Sequence, residues 1–275
     1  MQSAETEFGN RNFDAEVKYA MHPSGEKGIL WHPFGCEYAE SAKWNLIERF
    51  YIRRFGFVDL PTRMRARLIQ KTLRNIPWKT MLDYGSGTGA YAFYFSRSRD
   101  ARVWGVDIHR MRIDDCLELC KKLDRKTLDF VCSASIFETD RFQPDSMDVV
   151  LAIEVLQYLP DVRAGLREIF EVLKPGGHLI AHIPLLGYHR RAETVLFDTK
   201  KLADFVRDAG MELLSINRIV GRADRFLISV YEVCSRSRIL TSIMFPLLLF
   251  ASLPCGAPSS HGRYCIAVAR KPARK

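Results

Sequence analysis

Residues 80–95 read Thr-Met-Leu-Asp-Tyr-Gly-Ser-Gly-Thr-Gly-Ala-Tyr-Ala-Phe-Tyr-Phe, and no other stretch so narrows what the chain can become. A short apolar run carries one acid, Asp83. Three alternate positions, Gly85, Gly87 and Gly89, then lack side chains, and Ala90, Phe93 and Tyr94 return at helical spacing. The pattern predicts strand, glycine turn and helix. Glycines there open backbone angles closed to other residues and let a flat, polar ligand come against the main chain. Free N–H groups at the start of the helix are expected to face that ligand.

The glycines alone leave a dinucleotide open. The next apolar run, 101–106, ends at Asp107, about 20 residues on, where the dinucleotide fingerprint expects a ribose-binding acid. Two details point elsewhere. Asp83 lies two residues before the first glycine, where it would repel a pyrophosphate and attract an ammonium. The turn also follows helical sequence rather than opening the domain.

Four segments recur together: Asp83-Tyr-Gly-Ser-Gly-Thr-Gly89, Val106-Asp107, Met147-Asp-Val-Val-Leu-Ala-Ile-Glu-Val-Leu-Gln-Tyr-Leu-Pro-Asp161 and Leu173-Lys-Pro-Gly-Gly-His-Leu179. In this order and spacing the chain resembles class I S-adenosylmethionine-dependent methyltransferases of the methyltransferase-11-like, small-molecule or lipid type. The resemblance runs over 64–220, with a last strand near Tyr264. It implies an α/β fold: a Rossmann-like seven-stranded, mostly parallel sheet with helices on both faces, an N-terminal helical cap and an apolar insertion before the last strand. The corresponding division is a cap over 1–60, a donor-binding core over 61–220, the insertion over 221–261, and the last strand with a basic tail over 262–275.

The resemblance also implies S-adenosyl-L-methionine as the cofactor, held at Asp83, Gly85, Gly87 and Gly89. Asp107 would take both ribose hydroxyls, and Ile108 would flank the adenine. At Ser133 and Ala134 the chain departs from the acid that family members often use for the adenine amino group, although a serine hydroxyl still accepts such a bond. Ile153 and Glu154, ending a fully apolar strand, fall beside the expected sulfonium.

Further elements follow from periodicity. Helices are expected over 62–74, with Thr62 as a cap, and over 112–123, 161–173 and 199–209; strands over 102–106, 128–132, 149–153, 178–183, 211–220 and 264–269. Lys174-Pro-Gly-Gly177 reads as a helix stop. Strand ends face the ligand crevice in this fold, which makes His182, Tyr188 and His189 the candidates for handling an acceptor's proton, imidazole being suited to that near neutral pH.

With 275 residues the chain can bury a large core, as one domain plus an insertion. Its formal charge of +9 favours an anionic partner. Enzymes that methylate base amines place an acid or Asn, two prolines and an aromatic after the fourth strand; Ile153-Glu154-Val155-Leu156 departs from that, and Pro254-Cys255 lies far from it, so nucleic acid is not the expected substrate. Seven scattered cysteines argue for reduced thiols and a cytoplasmic setting. Cys116 and Cys120 share a helix face and read as core rather than as a metal site. Residues 1–10 are polar and acidic, unlike a secretory signal. Aromatic residues crowd 13–57, where the resemblance implies a cover over the cofactor.

The run 239–253 is apolar, interrupted by Pro246 and flanked by arginines. It is short of the roughly 20 residues of a membrane span, which leaves a peripheral contact with an anionic membrane, a lid or a homodimer contact. The reading that results is methyl transfer to an apolar or lipid-linked small molecule. Its rivals are a soluble methyltransferase of polysaccharide or natural-product intermediates and a non-catalytic scaffold.

Overall fold

In the first strands of this chain successive residues are apolar on both sides, as strands covered on two faces require. Met81, Val103, Val149, Leu151 and Ile180 pack into one core, while their neighbours Leu82, Val106, Val150, Ala152, Leu179 and Ala181 pack into a second. Each fully buried Val, Leu or Ile is worth about 1.5–3 kcal/mol, so the alternation fixes the strands between two helical layers. The computed structural model describes residues 60–97, 100–185, 195, 197–234 and 237–273.

The elements run α1 (Leu60–Leu73), β1 (Thr80–Tyr84), α2 (Ala90–Phe95), β2 (Arg102–Asp107), α3 (Arg110–Lys122), β3 (Leu128–Cys132), β4 (Met147–Ile153), α4 (Val162–Val172), β5 (Leu173–Pro184), α5 (Thr199–Asp208), β6 (Glu212–Ile219), α6 (Arg222–Cys234), α7 (Arg238–Ala251) and β7 (Tyr264–Arg270). Among the described residues the strands form one seven-stranded sheet, ordered β3-β2-β1-β4-β5-β7-β6. β1 to β5 are parallel, and β7 runs antiparallel between β5 and β6. Helices α1, α2 and α3 cover one face; α4 and α5 cover the other. The strand order reverses between β1 and β4, and the crevice at such a point is where this class of sheet takes its ligands. The Rossmann-like expectation holds. The expected cap over 1–60 falls almost wholly outside the described residues, as do the aromatics of 13–57.

Local chemistry explains the boundaries. Asp161 starts α4 by accepting from the N–H groups of Arg163 and Ala164, at 2.8 and 3.1 Å. Thr62 does not cap α1 but lies inside it. Lys174–Gly177 does not form a separate helix stop: β5 already begins at Leu173, and the pairing with β4 jumps from Met147↔Leu173 to Val149↔His178. The four residues are absorbed as an irregularity of the strand, and Lys174 Nζ donates to Asp148 Oδ1 at 2.6 Å. The insertion resolves into two helices. α7 continues through Pro246, and no helix among the described residues is long and apolar enough to cross a membrane. Cys116 and Cys120 are buried in the first core.

Candidate active site at the glycine turn

The turn between β1 and α2 is braced from β2. Gly85 and Ser86 both donate their N–H groups to the Val106 carbonyl, at 2.8 and 2.9 Å. Gly87 N–H donates to Asp107 Oδ2 at 2.7 Å, and Gly89 N–H to the Ser86 carbonyl at 2.8 Å. These four N–H groups of the turn hold it in shape; they are distinct from the N–H groups at the start of α2 that were expected to face a ligand. The three glycines take φ of +73°, +54° and +76°, yet their surroundings differ. A Cβ on Gly85 would stand 2.3 Å from Val155 Cγ2, and one on Gly89 2.7 Å from the Phe130 ring. At Gly87 the nearest atom would be Arg112 Nη1 at 3.7 Å, so only there does the bare backbone face open room.

The two acids bond to different parts of this strand–turn–helix unit: Asp83 to the helix start and Asp107 to the turn. Asp83 is 1% exposed, with Oδ2 accepting from Ala92 N–H at 3.2 Å. Burial lifts its carboxyl to about 7, against the lowering effect of that bond. Asp107 ends β2 and is fully engaged: besides Gly87, its Oδ1 accepts from His109 N–H at 3.0 Å and lies 2.6 Å from His109 Nδ1. Burial alone would raise its carboxyl, but the bonds from His109 and Gly87 outweigh that and hold it below the ordinary carboxylate value. Oδ1 thus spends both its lone pairs on His109, whereas Oδ2, with one spent on Gly87, keeps one for a ligand hydroxyl. His109 escaped the sequence reading; its only signal was an imidazole two residues after the acid.

Ile108 follows Asp107 with 61% of its surface exposed, free to lie against a flat ring. Across from it, at the end of β3, Ala134 is exposed and Ser133 half-buried. The Ser133 hydroxyl donates to the Ser135 carbonyl at 2.8 Å, with Glu138 Oε2 at 3.1 Å as the competing acceptor. Its single proton is thus engaged locally.

At the ends of β4 and β5 a second polar group assembles. Ile153 is buried in the first core. Glu154 follows at φ +54°, a left-handed backbone that costs a non-glycine residue about 1–2 kcal/mol, and its N–H donates to the His182 carbonyl at 2.7 Å. Its carboxylate accepts from Arg65 of α1 and lies 3.6 Å from His182 Nδ1. His182 is 1% exposed and stacks on Tyr264 with centroids 5.1 Å apart. Neither of its ring nitrogens has a hydrogen-bond partner among the described residues. Burial drives the imidazole down to about 4, against the pull of Glu154, so at neutral pH it is uncharged. A buried polar ring without partners costs roughly 1–3 kcal/mol. Arg65 was not singled out in the sequence. Tyr188 and His189 lie outside the described residues.

Residues 82–181 match the family described as "Methyltransferase domain". Over 124 residues the chain is 34% identical to the phthiotriol/phenolphthiotriol dimycocerosates methyltransferase of Mycobacterium tuberculosis, covering 44% of each chain. It is 24% identical over 163 residues to phosphoethanolamine N-methyltransferase 2 of Caenorhabditis elegans, covering 55% of this chain and 37% of that one. The chain therefore spans less than half the length of these curated relatives. Among solved structures the cyclase SpnF superposes with a TM-score of 0.58 at 19% identity, covering 78% of this chain and 83% of that one; a likeness at that identity speaks for the fold alone.

Proposed function

We propose, from the premise that this chain belongs to the methyltransferase-domain family of class I S-adenosylmethionine-dependent enzymes, that it moves a methyl group from S-adenosyl-L-methionine to a small-molecule acceptor. One observation carries the reading: a turn locked by Asp107, with bare backbone facing open room only at Gly87. That shape fits a ligand lying flat on the main chain with hydroxyls toward Asp107. In the proposed pose Ile108, Ser133 and Ala134 border the adenine, Asp83 supports the amino-acid end from below, and Ile153 and Glu154 flank the sulfonium. Gly85 and Gly89 have a different part: they let Val155 and Phe130 close in and fix the turn.

The donor, when bound, supplies an electrophilic methyl group. The chain's own task is to hold the acceptor atom in line with the departing sulfur at about 3–3.5 Å, which accounts for much of the acceleration in such transfers. His182 is the acceptor-side group among the described residues. Uncharged and without hydrogen-bond partners, it can take the acceptor's proton at a ring nitrogen. Glu154, held by Arg65, is positioned to stabilise the imidazolium that forms. Tyr188 and His189 are proposed to border the same acceptor.

Two acceptor classes have support. A water-borne small molecule is favoured by the similarity to a phosphoethanolamine N-methyltransferase. An apolar or lipid-linked acceptor, met at a membrane, is favoured by the exposed apolar residues of α6 and α7. Calorimetry with S-adenosylmethionine, followed by labelled methyl transfer into an aqueous metabolite extract and a lipid extract, tests both levels. Donor binding with label in one extract supports the enzyme and selects the class; absence of donor binding leaves a scaffold and refutes the proposal.

A further inference from the structure

Helix α7 is apolar on its outer side as well as its inner one. A helix on a protein surface ordinarily buries its apolar stripe and shows its polar one. Here Thr241 and Ser252 are buried toward the protein together with Phe245 and Leu248. The Thr241 hydroxyl is spent on the carbonyls of Cys234 and Ser237, at 2.8 and 2.9 Å. On the opposite side Ile239, Ile243, Leu247 and Phe250, spaced to share one stripe, are each 64–75% exposed, and Phe226 of the neighbouring α6 is 72% exposed. Monomeric proteins rarely leave such a contiguous stripe in water.

Charge decides what covers it. From Val233 to Arg263 the sequence contains no Asp or Glu, while Arg236, Arg238 and Arg263 fall within it. On α6, Arg222 is exposed and Arg225 half-buried, and Asp224 is buried, accepting from the N–H groups of Gly221 and Gly256 at 3.1 and 3.4 Å. Glu232 is the exposed acid of that helix. A second copy paired on this stripe would bring two stretches of the same net positive charge together. Anionic lipid headgroups complement them, and no described helix is long enough to cross the bilayer.

We infer that α6 and α7 form a docking face on which α7 lies along an anionic lipid surface, its stripe in the acyl boundary and the flanking arginines among the headgroups. The face is joined to the site through α1. Leu60 and Met64 pack against Tyr231 and Leu248, Arg67 donates to the carbonyls of Ser252 and Leu253, and between them Arg65 reaches Glu154. Docking therefore places the acceptor end of the crevice near the lipid. This consequence for substrate class rests on the methyl-transfer reading; the docking itself does not.

The test is flotation of the full chain with vesicles of phosphatidylglycerol and phosphatidylcholine, against phosphatidylcholine alone, at low and high salt. Binding is expected to be at least tenfold stronger to the anionic vesicles and to weaken with salt. Leu247→Asp combined with Phe250→Asp should cost at least tenfold, Arg222→Glu should weaken the anionic preference, and both should keep wild-type affinity for S-adenosylmethionine in calorimetry. No binding by the folded wild-type chain overturns the inference, as does equal binding by the Leu247/Phe250 variant. A dimer that this variant splits, without vesicle binding, assigns the face to a second copy and also overturns it. Vesicle binding without donor binding would leave docking standing and remove methyl transfer.

Discussion

Gly87→Ala, set beside Gly85→Ala, tests the proposal that one glycine of the turn serves the ligand and the other the fold. In the folded chain the new methyl meets nothing nearer than Arg112 Nη1 at 3.7 Å, so packing does not resist it. The φ of +54° alone costs about 1–2 kcal/mol. The same methyl would occupy the room into which the donor is proposed to lie, so donor affinity should fall at least tenfold, or about 1.4 kcal/mol. Gly85→Ala is the contrasting variant. Its Cβ would stand 2.3 and 2.6 Å from two atoms of Val155, adding an overpacking cost of about 1–3 kcal/mol to the backbone strain. Urea unfolding should thus rank Gly85→Ala well below Gly87→Ala in stability, whereas calorimetry should show the larger loss of donor affinity per folded molecule in Gly87→Ala. If folded Gly87→Ala binds S-adenosylmethionine within about twofold of wild type, the backbone approach at that glycine is refuted.

Other outcomes follow from the polar groups. Asp107→Asn should cost about 1–3 kcal/mol of stability, from the weakened bonds with Gly87 and His109, and donor affinity should fall with it in calorimetry. Asp83 holds a proton in the fold up to about 7 that the unfolded chain releases near 3.8, so its contribution falls as pH rises between those values, by at most roughly 4 kcal/mol. His182 has the opposite sign: its folded value of about 4 lies below the ordinary 6.5, so the stability it contributes is present above 6.5 and lost, by at most roughly 3 kcal/mol, as pH falls toward 4. The two slopes oppose each other between 4 and 6.5; urea midpoints across that range should rise more steeply with pH in Asp83→Asn than in wild type, and less steeply in His182→Gln. His182→Gln should also lower methyl transfer about 10²–10⁴-fold with donor affinity unchanged, and a full-rate variant would remove the histidine from the reaction.

Much of the sheet was legible because its strands are buried on both faces, and a run such as Val149-Val-Leu-Ala-Ile153 admits few other fates. The turn was legible because three close glycines are costly unless the backbone needs them. Less visible was the division of labour among them. That depends on Val155 and Phe130, brought up from other elements, and on N–H groups whose acceptors lie across the sheet in Val106 and Asp107. The Arg65–Glu154 pair left no local trace: Glu154 was expected beside the sulfonium, but its partner lies 89 positions away and looks like an ordinary surface charge. Lys174–Gly177 misled for a physical reason: Pro and Gly end helices, but they are equally suited to an irregular strand start.

The pairing of Ile219 with Tyr264 has an evolutionary consequence. The polypeptide leaves the sheet and rejoins it at neighbouring positions, so everything over 220–263 is a detour hung on one hairpin. Closing a longer detour costs only about 0.6 kcal/mol for each doubling of its length, which leaves this stretch open to trimming, lengthening or wholesale grafting. Descendants of such a chain can exchange that cassette while the proposed donor cradle between β1 and β2 is inherited intact, provided Leu60 and Met64 of α1 are given something else to lean on.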